Sequence, residues 1–258
     1  MTTININLQI NDGLYLKDPQ MTPLGQKILK HSVLLIDELG FENFTFGKLA
    51  KLISSTEASI YRYFENKHKL FVYLLNWYWE WMKFRIDFNT MNISDPRRCL
   101  QIAISVIVDT AKRNTSVGFI DEDVLHRIVV AEGIKAYHHK GVDDENKEGF
   151  FLAYKSLCQK IAVIIEQLNA DFPYPRALAS TLIESANNHV YFARHLPRLT
   201  DIDYTDENYF DQIIHILESL AFGTLDAFRK PSEENSTEQT FQLKVEHNQL
   251  KKGSDGYS

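Results

Sequence analysis

The chain has 258 residues, 44% of them hydrophobic, and a formal net charge of −6. That is length for one large domain or two modest ones, with apolar content for a substantial core. Two cysteines far apart inside apolar helical patterns, Cys99 and Cys158, suggest neither a disulfide framework nor a thiolate metal site and fit a reducing cytoplasm. The absence of a basic start leading into an apolar stretch, and of a long uncharged apolar run, argues against secretion and against a membrane span.

Glycine and proline are scarce, at 11 and 7, and strict apolar/polar alternation is missing beyond the first ten residues, so the expected fold class is all-α. Residues 1–22 mix Asn, Asp and Gly with isolated Ile and Leu and read as an extended N-terminal arm. A first helix starts at Pro23, tolerated in a first turn, and ends at Gly40, suited to a left-handed cap. Leu24, Ile28, Leu35 and Leu39 form its expected buried stripe. A short helix follows Thr45, with Phe46, Leu49, Ala50 and Ile53 inward. Another spans roughly residues 57–64, with Ile60 and Phe64 inward, and a longer one starts after Asn66, a good N-cap, and reaches about Phe88. Further helices are expected near 96–113, 121–139, 145–171, 175–196 and 206–229, about nine in all, with breaks at Gly118, Gly141, Pro173 and Pro197. Residues 231–258 lack the apolar content to offset the entropy of ordering and are expected to be disordered.

Two short helices joined by a tight turn, with a packing helix before them, form the helix-turn-helix arrangement, whose second short helix enters the DNA major groove. Ser54, Ser55 and Thr56 supply the turn, and Ala50 is small enough for close approach. The second helix then offers Glu57, Ala58, Ser59, Tyr61, Arg62 and Tyr63 on faces not taken by Ile60 and Phe64, chemistry suited to phosphates and base edges. Residues 23–75 hold seven basic residues against five acidic, a net of +2, which leaves −8 for the remainder. A DNA-binding head on an acidic body would show this asymmetry.

The stretch TFGKLAKLISSTEASIYRYFENKHKLF, residues 45–71, resembles the DNA-binding signature of the tetracycline-repressor (TetR/AcrR) family of transcriptional regulators. The resemblance rests on Thr45, Leu49–Ala50, Thr56, Ser59, Ile60, Tyr61, Tyr63, Phe64, Asn66–Lys67 and Leu70. It implies phosphate contacts from Ser59, Tyr61, Tyr63 and Lys67, and positions near base edges for Glu57, Ala58 and Arg62, with Thr45 and Thr56 completing the DNA-binding set. Two departures stand out. Ser54–Ser55 replaces the family's usual Gly-aliphatic turn, which predicts a strained or altered turn. Glu57 stands where Lys or Gln is common, and either accepts from a cytosine amino group or forms a capping box with Ser54; the two readings are compatible.

Beyond residue 75 the resemblance is one of architecture: a larger helical domain that binds a small molecule and forms a homodimer. The last two helices supply the dimer stripes, Leu178, Leu182, Ala186, His189, Ala193 and Leu196 on one, and Phe210, Ile213, Leu217, Leu220, Ala221 and Phe228 on the other. The aromatic run 77–81 offers Trp77, Tyr78 and Trp81 as walls for an apolar effector. His138 and His139 are neighbours about 100° apart on a helix and a poor chelating pair, so no metal and no cofactor is implied. No phosphate loop or nucleophile motif occurs, which makes an enzyme the weaker reading. The expected organisation is an arm (1–22), a three-helix DNA-binding head (23–70), a ligand-binding and dimerisation body (71–230) and a tail (231–258). The partners are a double-stranded operator, an apolar small molecule and a second copy of the chain. The alternatives are an all-helical enzyme or lipid carrier with a vestigial helix-turn-helix, and a helical interaction protein without regulatory function.

Overall fold

The computed structural model describes residues 7–109 and 119–229, all helix and connection without a strand among them. The expected helix end near Arg113, the break at Gly118 and the tail from 231 on fall outside the described residues.

The head consists of α1 (Pro23–Leu39), α2 (Phe46–Leu52) and α3 (Glu57–Tyr61), followed by α4 (Lys67–Thr90). Each start is capped by a side chain that accepts from an orphan amide: Thr22 from Gly25, Thr45 from Lys48, Thr56 from Ser59 and Asn66 from Lys69. Gly40 ends α1 at φ 74° and ψ 156°, backbone space that only glycine occupies readily. The buried face of α1 is wider than the expected stripe and centres on Ile28, Leu29, Val33 and Ile36. Its cause is two-sided packing, on the head and on a body helix.

Body helices are α5 (Pro96–Asp109), α6 (Glu122–Glu132), α7 (Ile134–Tyr137), α8 (Val142–Lys147), α9 (Leu152–Leu168), α10 (Pro175–His195) and α11 (Tyr209–Ala227). The central α9 is surrounded by α4, α5 and α10; α11 covers α5 and α10, and α6 carries the body onto α1. Two expected helices are split. The stretch 121–139 divides at Gly133 into α6 and α7. The stretch 145–171 is interrupted by Gly149 at φ +81°, where Gly149 N–H donates to Asn146 O and Phe150 N–H to Glu145 O, a left-handed C-terminal cap that closes α8. Apolar periodicity runs through both breaks and so hides them.

Of the expected N-terminal arm, residues 7–22 are packed onto the fold. Leu8, Ile10 and Leu14 are buried, Gln20 pairs with both backbone groups of Leu8, and Leu16 N–H donates to Tyr63 O at 2.8 Å. Single apolar residues can each fill a niche without helical or strand spacing, so periodicity gave no sign of this docking. Its course carries a 3-10 turn at Asp12–Leu14 onto α4.

Candidate nucleic-acid interface

Ser54 makes the turn between α2 and α3. It sits at φ 53°, with Ser54 N–H donating to Lys51 O (3.2 Å) and Ser55 N–H to Ala50 O (2.9 Å), the paired bonds of a left-handed helix cap. A serine thus occupies the position where glycine is usual, and the strain anticipated from the sequence is visible in that dihedral. The Ser54–Glu57 capping box does not form, because Ser54 already belongs to the cap of α2 and Thr56 is the N-cap of α3. Glu57 instead lies exposed with its carboxylate against Gly47, so close that a Cβ at 47 would stand 2.8 Å from Oε1.

On the outer face, three side chains are linked in series. Thr56 Oγ1 and Ser59 Oγ are 2.9 Å apart, and Arg62 Nη2 donates to Ser59 Oγ at 3.1 Å. Thr45, Thr56, Glu57, Ala58, Tyr61 and Arg62 are exposed and Ser59 is half-buried. Tyr61 rests edge-on against Phe46, ring centres 5.0 Å apart, which directs its hydroxyl end outward from a fixed base. Lys48 and Lys51 are exposed on the neighbouring α2 and were not singled out by the motif; the Lys48 ammonium donates to Asn43 O at 2.8 Å.

Two residues expected among the phosphate contacts are engaged elsewhere. Tyr63 is 4% exposed and its hydroxyl is 2.8 Å from Thr22 Oγ1, so it ties α3 to the start of α1 instead of facing outward. Lys67 directs its ammonium at three carbonyls, of Phe41 (3.1 Å), Glu42 (3.0 Å) and Phe44 (3.3 Å), and lies over the Phe41 ring. It thereby satisfies the loop between α1 and α2, which the residue pattern cannot reveal because the partners are main-chain atoms some 25 positions away.

The aromatic run in α4 is core. Trp77, Tyr78 and Trp81 are 0%, 1% and 6% exposed; Trp77 stacks on Trp81, and Tyr78 Oη lies 2.8 Å from His126 Nδ1. A cavity of about 320 Å³ lies instead where head meets body, walled by Ile36, Asp37 and Gly40 of the head and by His126, Arg127, Glu132, Val190, Arg194 and His195 of the body. Buried His126 is held down to about pKa 3 by desolvation, helped by the nearby charges of Arg194 and Arg127. A second cavity of about 390 Å³ is lined by Trp79, Tyr137, Glu184 and Asn187. Trp77, Tyr78 and Trp81 line neither, because a helix enclosed by α5, α6 and α9 buries its rings against protein.

The stripes expected to pair two copies are likewise mostly internal. Leu178, Leu182, Ala186 and Ala193 of α10 and Ile213, Leu217 and Ala221 of α11 are buried, and the two helices pack on each other and on α9 and α5.

Compared with known families, residues 28–74 match the model of the bacterial regulatory proteins of the tetR family. Among curated proteins, the sequence has no match. Among solved structures the fold is similar to AibR in complex with isovaleryl coenzyme A and operator DNA. There the TM-score is 0.53 at 15% identity, over 76% of this chain and 97% of that one. It is similar also to the fatty acid degradation regulator FadR from Bacillus halodurans, with a TM-score of 0.56 at 15% identity over 81% and 98% of the two chains. FadR from Bacillus subtilis in complex with stearoyl-CoA gives 0.56 at 14% identity over 75% and 97%. Residues 28–74 of the head thus match the tetR-family model, and the chain as a whole shares the fold of these solved structures.

Proposed function

We propose that the chain is a ligand-responsive repressor that binds a pseudo-palindromic operator as a homodimer in the cytoplasm. The observation that carries the DNA-reading part is the exposed series Thr56–Ser59–Arg62, fixed by hydrogen bonds on the outer face of α3. α3 enters the major groove with Glu57, Ala58 and Arg62 near base edges, while Thr45, Thr56, Ser59 and Tyr61 meet phosphates. Tyr63 and Lys67 hold the frame. The 70/71 boundary between head and body falls within α4, so the two parts share one continuous helix and no linker separates them.

The second copy docks on the outer face of α11. Ile216 and Leu220 are 36% and 39% exposed there, and the exposed Gly223 and Ala227 continue the same face at helical spacing. Nothing stands within 4 Å of a Cβ built on Gly223, so another helix can approach closely. The effector enters the 320 Å³ cavity between α1, α6 and α10. Neighbours of the same fold bind acyl-coenzyme A esters, and a wall combining Ile36 and Val190 with Arg127 and Arg194 suits a small molecule with an apolar part and an anionic one. Filling the cavity moves α6 against α1 and alters the separation of the two recognition helices.

Gel-shift titration of the purified protein against fragments from its own promoter region tests the reading. Saturable binding to one fragment, weakened and less selective in Arg62→Ala, is the expected result. Equal, salt-sensitive binding to all fragments would instead favour a protein whose helix-turn-helix is vestigial. No helix among the described residues is long and apolar enough to cross a membrane.

A further inference from the structure

The fold brings together three metal-ligating side chains that are distant in sequence. His68 is the second residue of α4, His139 follows α7, and Glu145 belongs to α8. His68 Nε2 is 2.8 Å from Glu145 Oε1, His139 Nε2 is 3.3 Å from Glu145 Oε2, and the three ligand atoms lie within 4.8 Å of one another. The absence of a metal inferred from sequence rested on His138 and His139 as neighbours; here His139 converges instead with His68, ring centres 5.1 Å apart. His139 Nε2 and Glu145 Oε2 are both shielded from solvent, and neither has a well-formed hydrogen bond among the described residues. Buried polar atoms normally have such partners.

We propose that His68, His139 and Glu145 form a three-ligand site for a divalent cation of borderline softness, with Zn²⁺ the best match. Two imidazoles and one carboxylate with a fourth position left for water is a familiar zinc donor set. Bonds of about 2.0–2.2 Å at tetrahedral angles set donor atoms roughly 3.4 Å apart, a spacing that rotamer adjustments reach from the 2.8 and 3.3 Å between each imidazole and its nearer carboxylate oxygen and the 4.8 Å limit on the set of three. The side chains are partly exposed, 31%, 27% and 19%, which gives the ion an entry path and leaves room for the fourth ligand. Gly141 N–H donates to His139 Nδ1 at 3.1 Å, so the neutral ring without metal carries its proton on Nε2, facing Glu145. The cation takes that position on Nε2, the ring proton moves to Nδ1 through solvent so that the ligand is a neutral imidazole, and the Gly141 contact opens. Bound there, the ion ties the start of α4, immediately after the recognition helix, to the 138–147 segment of the body.

The site is tested on the full chain by calorimetric titration with Zn²⁺ and by the visible spectrum of Co²⁺, whose intense bands report four-coordinate geometry. One ion per chain is expected. His68→Gln, His139→Gln and Glu145→Gln should each weaken uptake by at least ~10-fold, whereas His138→Gln, next in sequence but outside the cluster, should leave it unchanged. Circular dichroism confirms that each variant is folded. Should His68→Gln fail to fold, the other two variants, in the 138–147 segment, carry the test. Uptake that survives all of the folded ligand variants, or no uptake at about 1 mM Zn²⁺, overturns the proposal.

Discussion

Arg127 of α6 grips Asp37 of α1 through two parallel hydrogen bonds, Nε to Oδ1 at 3.1 Å and Nη2 to Oδ2 at 2.7 Å, while its Nη1 reaches Asp123 at 2.6 Å. The two carboxylates raise the guanidinium's pKa, the hydrogen bond to Asp37 foremost, so Arg127 stays cationic. It joins head to body across 90 positions of sequence and forms one wall of the junction cavity.

If this pair is the latch between the two parts, its removal lowers stability modestly and loosens their coupling. The side chains are about a third exposed, so solvent screening limits the contribution to ~1 kcal/mol. Arg127→Met should lower the melting temperature by about 2–4 °C. A double-mutant cycle with Asp37→Asn should show non-additivity, since each single change already breaks the same bonds. Strict additivity in urea titrations would show that the contact carries no energy.

Arg62 and Lys67 differ in what they touch, and their substitutions should differ in kind. Arg62 is exposed and, among the described residues, its side chain bonds to Ser59 alone, so Arg62→Ala should leave the denaturation midpoint unchanged and cost ~1–3 kcal/mol of operator binding with relaxed specificity. Lys67→Ala strips a cation from three carbonyls of the α1–α2 loop and should destabilise the fold by ~1–3 kcal/mol. Its effect on operator affinity follows from that loosening. Fluorescence anisotropy at two salt concentrations beside urea denaturation separates the cases. A Lys67→Ala protein of wild-type stability with a salt slope reduced by ~1 would restore the phosphate contact implied by the sequence resemblance.

These assignments show where sequence reading reached and where it stopped. The helix start after Thr45, the cap at Asn66, the turn at Ser54 and the inward faces of Ile60 and Phe64 are local, set by residues within four positions, and were legible. The roles of Tyr63 and Lys67 depend on Thr22 and on main-chain carbonyls far back in the chain, and chemistry at the residue itself does not announce them. The junction cavity and the His68–His139–Glu145 cluster arise from packing α6, α8 and α10 against α1 and α4. In the last two helices periodicity marked stripes that are mostly buried within the chain, with Leu196, Leu220 and Phe228 left exposed: an apolar face looks the same in sequence whether it meets its own chain or another copy.

Because most of each stripe is used internally, dimerisation should depend on the residues that α11 leaves exposed, Leu220 of the expected stripe among them. Leu220→Glu places a charge in the centre of that face without touching the core, where Leu217 and Ala221 lie. The variant should keep wild-type helicity and thermal stability as a monomer and lose cooperative operator binding, since one head reads only one half-site. Light scattering that finds Leu220→Glu still dimeric would move the interface elsewhere.

His126 should make the fold sensitive to mild acid. Its ring is 3% exposed, with Nδ1 paired to Tyr78 and Nε2 without a partner among the described residues. Burial brings its pKa from 6.5 down to about 3, so below pH 6.5 the unfolded chain takes up a proton that the folded chain refuses. The stabilisation from keeping this ring neutral is therefore complete above about pH 6.5. It is lost progressively as pH falls toward 3, at up to ~1.4 kcal/mol per pH unit. Carboxylates and the other histidines add their own pH dependence, but they are common to wild type and variant and cancel in the difference. His126→Asn retains a polar group near Tyr78 and removes the titration. It should be less stable than wild type at pH 7.5, where packing is lost, and should close that gap between pH 6 and 4. Urea denaturation at half-unit steps reads this directly: parallel profiles for the two proteins would mean that the imidazole is protonated as easily inside the fold as outside it.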